Sequence, residues 1–306
     1  TRWNEHDFMS GLMAVLHETG HALYERGLPL DWRTQPVGES CGMTIHESQS
    51  LLVEMQACRT SEFIAYVAPL LRSELGRSGP EWRADNLERH YRRVERGLIR
   101  VDADELTYPL HVIVRHRLER ELITGELPVR ELPGAWRDAL RELVGMEPSD
   151  DRDGCLQDIH WYTGAFGYFP TYTLGALTAA QLFEAATLSD PKILPSIARG
   201  EFAPLLGWLR ANVHQLGRLH GSSELVERAT GTPLGVNTFL RHLRQRYLAE
   251  GCAATAHGAA LQSYAVSARL PGGRTHALRC SRRSEGRSAV ASRRRVLTRS
   301  AAPMPT

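Results

Sequence analysis

Apolar residues recur near a 3.6-residue period along most of the first 250 positions, the spacing that builds one buried face of an α-helix. Phe8, Leu12, Val15, Leu16, Leu23 and Tyr24 mark such a face over 7–26, with Gly27 and Pro29 as stops. A second helix is expected over 48–63, through Leu51, Leu52 and Met55, and a charged, solvated one over 80–95. Residues 109–124 carry Leu110, Ile113, Val114, Leu118 and Leu122 on one side and end at Gly125. The pattern continues over 132–144, 174–186, 204–219 and 238–248. Alternation with period two is scarce, and only 40–45 reads as a short strand. No repeat of 20–50 residues is visible. The expected fold class is therefore all-α.

Beyond Glu250 the pattern stops. Gly, Ala, Ser and Arg dominate 251–306, with Tyr264 the single aromatic. Such a segment cannot bury enough apolar surface to offset ordering its backbone, so a disordered tail is expected. That tail holds ten Arg against Glu285 alone, a net charge of +9, and leaves 1–250 at −7. The acidic body argues against a nucleic-acid partner. The tail's arginines lack aromatic interleaving and a helical face, which argues against nucleic-acid and membrane roles there too. No apolar run reaches 18 residues, and the first residues lack the apolar stretch of a signal peptide, so a cytoplasmic location is expected. The five cysteines, Cys41, Cys58, Cys155, Cys252 and Cys280, are odd in number and lack metal-ligand spacing. They read as small buried residues in a reducing compartment.

Chemistry concentrates in the first helix, at His17-Glu18-Thr19-Gly20-His21. Histidines at i and i+4 share a helical face, so both rings can reach one cation. Glu18 is turned about 100° from His17. That makes it a poor ligand but a suitable base toward a water activated by the cation. Gly20 costs about 1 kcal/mol against Ala inside a helix, which suggests that another backbone or a substrate comes close. A hydrolytic zinc site needs three protein ligands and one open position. Glu47, in His46-Glu47-Ser48-Gln49-Ser50, is the best candidate for the third, with Glu39, Glu54 and Glu25 as rivals. Glu25 follows His21 by four and could brace that imidazole, and Glu54 could act similarly.

Two further clusters stand out. Ile99-Arg100-Val101-Asp102-Ala103-Asp104 sets one Arg in an acidic and apolar run. Gly154-Cys155-Leu156-Gln157-Asp158-Ile159-His160-Trp161 leads into an aromatic stretch punctuated by Gly164 and Gly167 and ending at Tyr172. A peptide cleft uses Arg for a carboxylate and His or Tyr for an oxyanion. Composition alone favours a packed aromatic core.

These four blocks, in this order and spacing, resemble the signatures of the thermostable carboxypeptidase Taq family, the M32 metallocarboxypeptidases. The resemblance covers about residues 3–250. It implies an all-helical zinc-metallopeptidase fold with a deep substrate groove, a butterfly-like homodimer, and broad release of C-terminal residues from peptides with a free C-terminus. It implies Zn²⁺, or Co²⁺, held by His17, His21 and Glu47, with Glu18 as general base. Arg100 would grip the substrate's terminal carboxylate. His160 and Tyr168 or Tyr172 would line the primed side and stabilise the transition state.

Two departures qualify the expectation. Family members run to about 500 residues, and an upstream Asp-x-Arg-x-Thr block is absent here, so one wall of the groove is expected to be missing. The tail at 251–306 matches nothing in the family and reads as frameshifted or read-through sequence. The expected function is a metallocarboxypeptidase. The alternative is a catalytically inactive truncated remnant that keeps the metal site but lacks one wall of the cleft. A zinc endopeptidase is disfavoured by Arg100. On this reading the 306-residue chain has little activity by itself, and apolar surface is exposed where the missing wall would lie.

Overall fold

The computed structural model describes residues 7–248, and the segment at 251–306 lies outside them. The described residues hold helices and no strand. In order they are α1 (Phe8–Gly27), α2 (Gly42–Leu51), α3 (Ser61–Glu74), α4 (Ala84–Tyr91), α5 (Tyr108–Thr124) and α6 (Leu132–Leu143). After them come α7 (Pro170–Ser189), α8 (Ile193–Ile197), α9 (Ala203–Asn212), α10 (Ser222–Thr230) and α11 (Val236–Leu248). None is long and apolar enough to cross a membrane.

Local chemistry sets the ends. Asp7 caps α1 by accepting from the Ser10 amide at 3.1 Å. Thr60 caps α3 through Phe63 N at 3.2 Å. Gly125 and Gly231 close α5 and α10 in the left-handed region, with φ of 78° and 76°. Short 3₁₀ turns occupy Pro80–Trp82 and His214–Leu216, so the helices expected over 80–95 and 204–219 are shorter than their apolar spacing suggested.

The strand expected over 40–45 is absent. Gly42 turns the chain at φ 78° and opens α2 instead. Cys41, Ile45, Ser48, Gln49 and Leu52 are buried, a helical spacing rather than an alternating one. The continuous helix expected over 48–63 is also corrected. It starts six residues earlier, widens into a π-turn at Leu52–Ala57, and breaks before α3. The α8 and α10 helices had too few apolar periods to show in sequence.

Helix α7 is the centre of the fold. Leu177, Thr178, Ala179, Ala180, Gln181 and Leu182 are all buried, so it presents no solvent face along this stretch. The main apolar core joins α1, α2, α3 and α7 through Met13, Tyr24, Ile45, Leu52, Ile64 and Leu182. A second cluster packs Val114 and Leu118 of α5 against Trp136 and Leu140 of α6. A third seats Phe239, Leu243 and Tyr247 of α11 on Leu177 and Ala180.

Two close approaches position the rest. A Cβ on Gly20 would lie 2.5 Å from Gln49 O and 2.6 Å from Ser50 Cα, so α1 and α2 touch backbone to backbone. A Cβ on Gly175 would lie 3.0 Å from Glu47 Cγ, so α7 seats against that side chain. The end of the described chain is tied down by Glu105, which is fully enclosed. It accepts from His242 Nε2 at 2.8 Å, Arg246 Nη1 at 2.8 Å, Tyr247 OH at 3.0 Å and Gln56 Nε2 at 3.3 Å.

Two predictions follow from this packing. Gly20→Ala inserts a methyl group between two backbones and should cost about 1–3 kcal/mol, read as a lower thermal midpoint. Burial alone would raise the pKa of Glu105, but the charges of Arg246, His242 and Arg59 and the His242 hydrogen bond outweigh it, bringing it from 4.5 to about 2. A carboxylate depressed on folding contributes stability above its unfolded pKa and loses it as pH falls from about 4.5 to about 2. Glu105→Gln should therefore destabilise by roughly 3–5 kcal/mol at neutral pH. The gap to the parent should narrow through that acid window in denaturant titrations.

Candidate metal centre

Helix α1 presents His17 and His21 one turn apart, and α2 brings Glu47 to them. One ligand atom from each residue can be chosen so that all three lie within 4.8 Å of one another. Glu47 Oε2 is 3.9 Å from His17 Nε2 and 3.6 Å from His21 Nε2. The other ring nitrogens are engaged elsewhere. His17 Nδ1 meets Glu54 Oε2 at 3.0 Å, and His21 Nδ1 meets His46 Nδ1 at 2.7 Å. Both Nε2 atoms thus face the Glu47 carboxylate, and two imidazoles with one carboxylate are a donor set suited to Zn²⁺.

The electrostatics fit a cation. Burial lowers the pKa of His17, but the Glu54 hydrogen bond and the charges of Glu54, Glu47 and Glu18 outweigh it, so His17 is raised overall. His21 is lowered by burial and by the neighbouring His17 and His46. Glu47 is raised by burial, against the attraction of His17. Three carboxylates, Glu54, Glu47 and Glu18, thus act together on His17, a charge balance that suits a divalent ion.

The rivals for the third ligand fall elsewhere. Glu54 sits on the π-turn and braces His17, while accepting from Arg59 Nη2 at 2.8 Å. Glu25 does not touch His21 as expected from its i+4 spacing. His46 comes between them, with its Nε2 2.8 Å from Glu25 Oε1. Glu39 pairs with Arg218 Nη1 at 2.9 Å. Glu18 stands exposed one residue past His17.

A second cluster surrounds Arg100, which is buried. Its partner is neither Asp102 nor Asp104 but Asp158. Arg100 Nε and Nη2 donate to Asp158 Oδ1 at 3.1 and 2.7 Å, and Arg115 Nε donates to Oδ2 at 2.6 Å. Arg100 Nη1 also donates to Tyr108 OH. Burial opposes ionisation of Asp158, but the two guanidiniums hold its pKa below the usual carboxylate range. Arg115, with burial the largest cause, falls to about 10.

His160 and Tyr172 lie beside this pair. His160 Nε2 is 2.9 Å from Tyr172 OH, and the Arg100 guanidinium carbon lies 4.8 Å from the Tyr172 ring centroid. Burial pushes Tyr172 up to about 12, against the pull of Arg100. Tyr168 is raised by burial and then by the Glu47 charge, and its ring is 5.5 Å from those of His160 and Tyr172. Tyr172 precedes Gly175 by three on α7, so the helix that abuts Glu47 also carries this phenol. The aromatic stretch divides: Phe169 is buried and Trp161 packs on Trp136, whereas Ile159, Tyr162 and Phe166 are exposed.

Sequence reasoning missed Asp158 and Arg115 as the partners of this cluster. Arg115 carried a signal, since it occupies a core register of α5 beside His111, Val112, Val114 and Leu118. His46 precedes Glu47 in sequence, and nothing in its spacing aims it at His21.

The chain is similar to known proteins over most of its length. Residues 1–247 match the family model described as carboxypeptidase Taq (M32) metallopeptidase. Thermostable carboxypeptidase 1 of Thermus thermophilus is 43% identical over 249 residues, 81% of this chain and 49% of that protein. The solved structure of Trypanosoma cruzi metallocarboxypeptidase 1 superposes with a TM-score of 0.78 at 40% identity, over 81% of this chain and 52% of that one. The M32 carboxypeptidase of Deinococcus radiodurans gives 0.77 at 42% identity, over 81% and 50%. The chain spans about half the length of the curated relatives it matches. On the family match, the relatives and the helical fold together, the chain belongs to the carboxypeptidase Taq (M32) metallopeptidase family.

Proposed function

We propose that this chain carries the catalytic centre of a metallocarboxypeptidase that releases C-terminal amino acids from peptides with broad specificity. The reading is supported by the grouping of His17, His21 and Glu47, whose Oε2 is 3.9 Å from His17 Nε2 and 3.6 Å from His21 Nε2. Zn²⁺, with Co²⁺ as a substitute, would be held by these atoms. When bound, such an ion polarises the scissile carbonyl and makes water nucleophilic at neutral pH. Glu18 accepts the proton of the attacking water and returns it to the leaving amine. Arg100 and Arg115 share Asp158, so the pair keeps an excess positive charge. A substrate's terminal carboxylate would neutralise that charge, with Arg100 as the gripping residue. His160 and Tyr172, already hydrogen-bonded to each other, and Tyr168 beside them offer donors for an oxyanion. A homodimer, carried over from the family resemblance, and a cytoplasmic location, taken from the cysteine pattern, complete the reading.

A second reading has the chain hold metal without turning over peptides unaided. Exposed Ile159, Tyr162 and Phe166 flank His160, an apolar surface that a further part of a cleft would cover. The 306-residue chain, loaded with Zn²⁺ and assayed on a free-acid peptide, separates the two readings by turnover or its lack.

Two substitutions test the roles, in this chain or in a relative carrying the same change. Glu18→Gln keeps the shape and removes the base. It should retain bound metal in elemental analysis and lose at least ~10²-fold in kcat. Arg100→Ala should raise KM and lower kcat/KM far more for free-acid than for C-terminally amidated peptides. An equal loss on both would make Arg100 a partner of Asp158 only.

A further inference from the structure

The two histidines of the centre are braced differently. His17 Nδ1 reaches a carboxylate directly, Glu54 at 3.0 Å, and Arg59 holds that carboxylate. His21 Nδ1 reaches a second imidazole, His46 Nδ1 at 2.7 Å, whose far nitrogen reaches Glu25 Oε1 at 2.8 Å. The ring of His46 is itself confined. It lies tilted on His21 with centroids 4.6 Å apart, and edge-on to Tyr24 at 5.5 Å. Tyr24 is fully buried and accepts from the Cys41 amide at 3.0 Å.

Hydrogen-bond bookkeeping gives this chain one direction. A carboxylate only accepts, so His46 Nε2 carries the proton toward Glu25. When His21 Nε2 ligates a metal its lone pair faces the ion, so the ring's one N–H sits on Nδ1. Across the 2.7 Å contact His21 Nδ1 then donates and His46 Nδ1 accepts. His21 Nε2 is left with its lone pair, and this is the atom 3.6 Å from Glu47 Oε2.

We propose that Glu25 and His46 form a two-link relay that fixes the tautomer and ring plane of His21 as a metal ligand. Both are positioning residues, and the proposal rests on reading His17, His21 and Glu47 as the metal centre. The relay also couples two supports. His46 precedes Glu47 on α2, so the segment that supplies one ligand orients another. The inner link is the decisive one, because Glu25 is about half exposed and competes with water, whereas His46 is largely covered.

The test is Zn²⁺ affinity of the metal-stripped 306-residue chain, by competition with a chromogenic chelator, with the visible spectrum of the Co²⁺-loaded form as second readout. His46→Phe keeps a ring but removes the acceptor. It should weaken Zn²⁺ binding by roughly 10–100-fold and change the Co²⁺ bands. His46→Gln offers an amide oxygen to His21 and an amide N–H to Glu25, and should restore affinity to within about threefold of the parent. Glu25→Leu, on the surface and safe for folding, should weaken binding by only about threefold to tenfold. Circular dichroism and thermal unfolding of the stripped proteins verify that each variant folds. Zn²⁺ affinity and Co²⁺ bands unchanged in folded His46→Phe, or in Glu25→Leu should His46→Phe not fold, would overturn the relay. Weak Zn²⁺ binding by the parent, unaffected by His17→Ala, would instead overturn the metal-centre reading and the relay with it.

Discussion

The backbone contact between α1 and α2 at Gly20 is the constraint on which the centre depends. His17 and His21 come from one helix and Glu47 from the next, and side chains of this length meet only if the helices nearly touch. Any residue larger than glycine at position 20 would collide with Gln49 and Ser50, whose backbones cannot fold away as a side-chain tip can. The approach places Glu47 opposite both Nε2 atoms and places His46 between His21 and Glu25. Gly175 repeats the device from the other side, letting α7 seat on Glu47. The glycine that is a poor helix former is thus consistent with the fold, because the helical cost of about 1 kcal/mol is offset by the packing it permits.

Charge is handled in three buried or half-buried groups with different balances. Glu105 is surrounded by cations and holds α11 to the region before α5, so it is a stabilising carboxylate. Asp158 is shared by two guanidiniums, so its surroundings remain positive and suit an anionic ligand. Around His17, three carboxylates exert the pull, so that site suits a cation. The latter two sites thus carry opposite signs, one suited to a cation and the other to an anion. The tyrosine-bearing start of α7 lies by Arg100 at Tyr172, and three residues later the helix meets Glu47, so one rigid element spans both.

Much of the helical architecture was legible from the chain because long amphipathic helices repeat their apolar face over several turns. The α1, α5, α6 and α11 boundaries fall within two residues of those read from periodicity. Short elements do not show in periodicity: α8 and α10 have too few turns, and at the start of α2 six residues do not separate a helical period from a strand's. The break between α2 and α3 was also hidden, since apolar residues continue through the π-turn.

That His17 and His21 share a face follows from the chain alone, since an α-helix places i and i+4 together. The chain also carries the family signature that names Glu47 and Arg100 as candidates. Which acid meets which base depends on how the helices pack. Arg100 finds Asp158 rather than its neighbours Asp102 and Asp104, and His21 finds His46 rather than Glu25. Periodicity describes a helix against itself, whereas these pairings depend on the separation and rotation of two helices. Those are set by the sizes of residues such as Gly20 and Gly175 at the crossings.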